Sequence, residues 1–436
     1  MFRFGLRLNK TRCSFFLIDI YNLSVRRLAL LLHIYQPPTQ HENVFRDIAD
    51  SCYLPLIRII KDKKIKVTLD VPLGLLEQME KYGYIKFLED LRELVRAKRV
   101  ELAGSGAYHP LFPRISTEFA QKQIILNEYA LGYYFGKKGG FEGDPSIMIQ
   151  NLSGFFPPGL AIDEPLLTLI NDLGYEWVLT DEMAIPKEVG EVRHGVFKVT
   201  GFDIRLVARN RLLSELLINK RGLEVKDFIE VLAKSSSSVV ALSGEVFGYH
   251  NDQGIFLFRS LLDALRKEHI ELITVSEYVE IKDEREIQTF QESTWNTSLE
   301  LTDPEHLYSM WEDKKNTIQK LLWEVLNKVT VSYKSSSPKD TLLGLEEIPL
   351  WNLTELEKLE DSDLRDSLEL DLLVLKSMDS NQFLEASYNP IHSPGLILNA
   401  ISLLAIIVSK IGSASLTEYA VSRLEEINEL VKNSSK

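Results

Sequence analysis

Five short segments of this chain carry side chains able to do chemistry. His33-Ile34-Tyr35-Gln36-Pro37-Pro38 offers an imidazole and a carboxamide. Each can donate and accept hydrogen bonds, so the pair suits a hydroxyl-rich ligand. Alone, the same text also reads as a polar turn before a proline. Gly104-Ser105-Gly106-Ala107-Tyr108-His109-Pro110 places small residues ahead of a stacking face, Tyr108, and a donor, His109. Small residues let backbone approach a ligand closely. Phe155-Phe156-Pro157-Pro158-Gly159-Leu160-Ala161-Ile162-Asp163 and Ala241-Leu242-Ser243-Gly244-Glu245-Val246-Phe247-Gly248-Tyr249-His250 are the third and fourth. In the fifth, Glu292-Ser293-Thr294-Trp295-Asn296-Thr297, the Trp295 indole can pack on the apolar face of a ring while its N–H donates. The other reading of Trp295 is a clamp between two parts of the fold.

The elements that must position these groups follow from hydrophobic pattern. Arg27–His33 is an apolar run of strand length ending at a polar tip and a Pro pair, as a buried parallel strand does. Lys66–Val71, Val100–Ala103, Trp177–Thr180, Ser238–Leu242 and Glu271–Val275 repeat the pattern. Helical stretches lie between them, including Pro165 to Leu173 with Gly174 as its stop. Strands alternating with helices imply parallel β/α units. About seven of them suggest a barrel, whose functional groups gather at the carboxyl ends of the strands. His33, His109, Gly159 and Ser243 all fall at or just after such ends. Past Lys282 the strand signals fade, and Ile318–Asn327, Glu355–Met378, Ser393–Gly412 and Leu416–Lys432 read as helices. Ser335-Ser336-Ser337-Pro338 reads as a linker. The expected organisation is an N-terminal extension over 1–26, an α/β barrel of (β/α)7 type over 27–282 and a helical bundle over 283–436.

Composition narrows the function classes. With 436 residues and 45% hydrophobic content the chain can build a large core. A formal net charge of −13 argues against nucleic acid, whose binding relies on Lys and Arg neutralising phosphates. Two cysteines, Cys13 and Cys52, cannot form a disulfide framework and suit a reducing compartment. The basic and apolar text of the first 25 residues is interrupted by Asp19 before it makes a secretory signal, so a cytoplasmic protein is expected. No apolar run reaches the roughly 18 residues of a membrane span, and Ile397–Val408 is expected to be a buried helix. The eight histidines are scattered, and neither a metal nor a cofactor is implied.

Taken in order, the five segments resemble the motifs of glycoside hydrolase family 57. Val207-Ala208-Arg209-Asn210-Arg211-Leu212-Leu213-Ser214 and Ser380-Asn381-Gln382-Phe383-Leu384-Glu385-Ala386-Ser387 extend the resemblance. In the latter, Leu384-Glu385 stands where the family tends to show a Trp pair. The resemblance implies an α-glucan ligand held by His33, Gln36, Tyr108, His109, Glu245, His250 and Trp295, with oligomeric state left open. It also places the family's nucleophilic Glu at Gly159 and its acid/base Asp at Ser243. Retaining glycosidases need two carboxyl groups roughly 5 Å apart. Glycine has nothing to attack with, and a serine hydroxyl is too weak an acid. Two readings follow: a member of the family that no longer hydrolyses but still binds glucan or acts as a scaffold, or an active hydrolase or 4-α-glucanotransferase using displaced carboxylates. Glu245 and Asp163 are the fallback candidates. The better reading of Asp163 and Glu164 is negative charge at a helix N-terminus.

Overall fold

The computed structural model describes residues 26–136, 152–218, 225–235, 237–298, 307–336, 356, 359–387 and 392–434. Cys13, nearly all of the expected extension and Ser337-Pro338 of the expected linker lie outside these residues.

Among the described residues, ten strands form two five-stranded sheets. They are β1 (Arg27–His33), β2 (Val67–Asp70), β3 (Val100–Ala103), β4 (Gly154–Phe155), β5 (Trp177–Thr180), β6 (Gly195–Val199), β7 (Arg205–Ala208), β8 (Ser237–Ser243), β9 (Glu271–Ile273) and β10 (Glu284–Ile287). The first sheet runs β3-β2-β1-β8. β2 pairs with the last three residues of β1 and β9 with its first three. The second runs β10-β6-β7-β5-β4. Residues 28–32 of β1 are fully buried, which is why the strand is an unbroken apolar run. Leu28, Leu30 and Leu32 pack in a core cluster with helix residues, and Ala29 and Leu31 in a second cluster with Trp177, Leu179, Val207 and Val239 of other strands. A parallel bridge between Gly104 and Phe155 joins the sheets at one border. Near the other border, the Asn210 amide donates to the Val239 carbonyl at 2.8 Å.

The α/β character with a helical C-terminal region is as the sequence implies. One departure is an antiparallel pair, β6 with β7, among otherwise parallel strands. The sheet also continues past Lys282, because β10 pairs with β6. Local chemistry moves several borders. The expected strand to Val275 stops at Ile273, because Thr274 and Glu277 form a reciprocal capping box that starts the Val275–Ile281 helix. The helix expected from Pro165 spans Glu164–Asp172, with Asp163 as its cap and Pro165 in its first turn. The helix expected over Glu355–Met378 is Ser362–Lys376, because the Asp361 carboxylate accepts from the Asp363 and Leu364 amides. Ser335, expected in a linker, is helical, within Thr317–Ser336. That helix packs on Pro394–Ile411 and Ala414–Ser434. Pro394–Ile411 is long and apolar enough to cross a membrane, and part of its surface is buried against these neighbours.

Candidate functional site

The site is built on strand register. His33 of β1 is the in-register partner of both Asp70 on β2 and Ser243 on β8, so three strand tips present their side chains side by side on one face. His33 Nδ1 lies 2.6 Å from Asp70 Oδ2. Asp70 is fully buried, and burial pushes its carboxyl above the ordinary value against the opposing pull of His33. The bond fixes the His33 ring, as a carboxylate behind an imidazole does.

On that ring a bent column of aromatics is packed. Phe156 lies 5.0 Å from His33 and His109 lies 4.6 Å from it, while Tyr35 lies 4.6 Å from His109 and 6.1 Å from His33. His109 adopts φ +50°, a left-handed conformation that non-glycine residues rarely adopt, and its ring packs against both His33 and Tyr35. Burial and the neighbouring His33 hold its pKa well below the usual imidazole value, so the ring is neutral. Its Nδ1 lies 3.1 Å from Ser380 Oγ, while its buried Nε2 has no hydrogen-bond partner among the described residues.

The C-terminal helices close the column from the far side. The Ser380 amide donates to the His109 carbonyl at 3.1 Å, and Asp379 makes an antiparallel bridge to Pro110. Asp379 Oδ1 accepts from the Asn381 amide at 3.1 Å. Glu385 Oε2 is buried with no hydrogen-bond partner among the described residues. The Asp379 carboxyl faces the Tyr35 hydroxyl, which pulls its pKa down against the burial that raises it. Burial, with the nearby Glu385 charge, pushes Asp379 up to about 8, so it carries its proton at neutral pH.

The expected site residues divide into those near the column and those bound into structure elsewhere. Gln36 is buried and donates to Tyr53 Oη at 2.9 Å. Glu245 receives four donors: Tyr53 Oη and Ser243 Oγ at short range, the Tyr35 amide at 3.4 Å and Gln36 Nε2 at 3.5 Å. Asp163 Oδ1 accepts from the Leu166 amide at 2.9 Å as a helix cap. Tyr108 is wholly buried beside Glu77 and Lys376 and does not join the column, so its ring offers no open face. His250 is exposed, its ring 5.6 Å from that of Tyr249. Trp295 is half-buried. Its amide donates to the Gly159 carbonyl at 2.9 Å, and its carbonyl accepts from Arg211 Nη2 at 2.9 Å. Gly159 itself has φ +66° and faces Trp311. Among the described residues no group of three or more His, Cys, Asp or Glu side chains could hold a metal ion.

Sequence reading missed Asp70, Tyr35, Asp379 and Trp311. Asp70 had a signal, an acid at the tip of an apolar strand. Asp379 had none, because its neighbours His109 and Tyr35 lie far away in the chain.

Geometry of this kind, catalytic-type side chains at parallel strand tips backed by a helical region, agrees with the comparisons. The profile of glycosyl hydrolase family 57 matches residues 19–292, more than half of the chain, and the chain belongs to that family. The fold is similar to that of a GH57-type branching enzyme from Pyrococcus horikoshii, with TM-score 0.65 at 14% identity. That alignment covers 92% of this chain and 94% of the other. It is also similar to a 4-alpha-glucanotransferase from Thermococcus litoralis, TM-score 0.61 at 20% identity, covering 88% of this chain but only 60% of that one. An alpha-amylase from Thermotoga maritima gives TM-score 0.60 at 13% identity, covering 92% and 97%. A comparison with curated proteins finds no match.

Proposed function

We propose that this protein binds an α-glucan oligosaccharide at the His33–His109–Tyr35 column and does not hydrolyse it. One observation carries the reading. The β8 tip presents a Ser243 hydroxyl committed to Glu245, and four donors engage the Glu245 carboxylate. An acid/base must offer a proton to the leaving oxygen within hydrogen-bond reach. A carboxylate so occupied by donors has none to offer. Asp163 is likewise engaged as a cap. Binding is supported by His109 Nε2, a buried polar atom with no hydrogen-bond partner among the described residues, beside the facing Tyr35 hydroxyl and Asp379 carboxyl. Such an atom is costly unless something satisfies it, and sugar hydroxyls both donate and accept. The similarity to a glucanotransferase and a branching enzyme favours α-glucan over other polyols.

The second reading, hydrolysis through displaced carboxylates, has one observation in its favour. Asp379 is protonated at neutral pH and lies near Glu385. Calorimetric titration with maltooligosaccharides, followed by analysis of the products, separates the two. Binding without new reducing ends is expected. Turnover that disappears in Asp379→Asn would overturn the first reading and establish the second.

A further inference from the structure

We propose that Trp311 locks the candidate site in a non-hydrolytic form by filling the space a side chain at position 159 would need. The proposal rests on the reading of Gly159 as the family's nucleophile position. A Cβ built on Gly159 would lie 2.9 Å from Trp311 Cζ2, 3.1 Å from its Cη2 and 3.8 Å from Trp295 Cδ1. Carbon atoms in good contact stand about 3.5–4.0 Å apart, so any substituent here must push the indole aside.

Trp311 is poorly placed to yield. It is 2% exposed and stands edge-on to Trp295, with ring centroids 6.3 Å apart. Its amide donates to the Tyr308 carbonyl at 2.8 Å, and its carbonyl accepts from Trp323 Nε1 at 3.0 Å. The flanking residues are strapped down as well. Tyr308 Oη donates to Glu292 at 2.5 Å and lies under the Arg114 guanidinium, which pairs with Glu312 at 2.6 Å. The segment that carries the indole is therefore held to barrel residues at both ends. Position 159 has not merely lost a side chain; its space is packed with hydrocarbon supplied from the C-terminal region. The left-handed φ of Gly159 adds a second cost to any replacement.

The lock is tested in two arms. First, Gly159→Ala, Trp311→Leu and the pair are compared by thermal unfolding in a double-mutant cycle. Gly159→Ala should lower Tm by about 2–4 °C more in the Trp311 protein than in the Trp311→Leu background. Equal losses in the two backgrounds overturn the lock. Second, Gly159→Glu/Ser243→Asp is assayed on maltooligosaccharides with and without Trp311→Gly. Turnover only when Trp311 is also replaced supports both the lock and the reading beneath it. Turnover with Trp311 in place overturns the lock. With Tm coupling present and no turnover in either protein, the lock stands and the reading of Gly159 as the nucleophile position falls.

Discussion

Asp379→Asn isolates a buried acid whose titration should be visible in the stability of the whole protein. In the folded chain the carboxyl titrates at about 8, against an ordinary 3.8, and the side chain is almost fully buried. A folded pKa raised above the unfolded one means that the folded state holds the proton longer. The associated stability is therefore complete below about pH 4 and is lost as pH rises through 8. Each pKa unit is worth about 1.4 kcal/mol. Between pH 5 and pH 7 the parent should thus lose about 3 kcal/mol relative to a variant that cannot ionise there. Across the full interval the loss approaches about 6 kcal/mol, an upper figure because water entering the ionised site would relieve part of it. The assay is denaturant unfolding of both proteins at pH 5, 6, 7 and 8, with the difference in stability plotted against pH. The variant should gain on the parent at every step. Parallel curves would refute a buried, protonated Asp379 and remove the best support for a displaced acid.

The remaining predictions concern the groups around it. Asp70→Asn removes the carboxylate that orients His33 and should weaken maltooligosaccharide binding about tenfold, roughly 1.4 kcal/mol, by calorimetry; an unchanged Kd would take His33 out of the site. Glu128, buried with Tyr175 at 2.5 Å as its partner among the described residues, is pushed up to about 7 from an ordinary 4.5. Its stability contribution is present below pH 4.5 and lost as pH passes 7. Glu128→Gln should therefore be about 3 kcal/mol less affected than the parent between pH 4.5 and pH 8. Tyr53→Phe deletes one of the donors to Glu245 and should cost about 1–3 kcal/mol in denaturant unfolding. A neutral result there would mean that Glu245 is not held by this bond.

What could be read in the sequence depended on distance along the chain. The strand tips were legible because an apolar run followed by polar residues is a local signal, and it placed His33, His109 and Ser243 at strand ends. The antiparallel β6 and the short β10 were not, since Gly195–Val199 and Glu284–Ile287 are brief, partly polar and held by pairing with segments distant in the chain or antiparallel to them. The segment motifs named several side chains of the candidate site but not what those side chains are bonded to. That Glu245 is saturated follows from Tyr53, a residue in a one-turn π-helix (Ala49–Tyr53) with no motif of its own. Tyr108 shows the converse: a side chain in a conspicuous motif whose ring is spent on the core.

The bond between His109 and Ser380 spans 271 residues, and it carries a consequence for how the protein comes into being. At about 5–20 residues per second of synthesis, roughly 15–55 s separate the appearance of its two ends. During that interval the emerging strands carry His33 and His109 with one wall absent. A ligand that needs Asp379 and Ser380 can reward only a finished chain, so its capture by a nascent polypeptide should begin abruptly, after the last helices leave the ribosome.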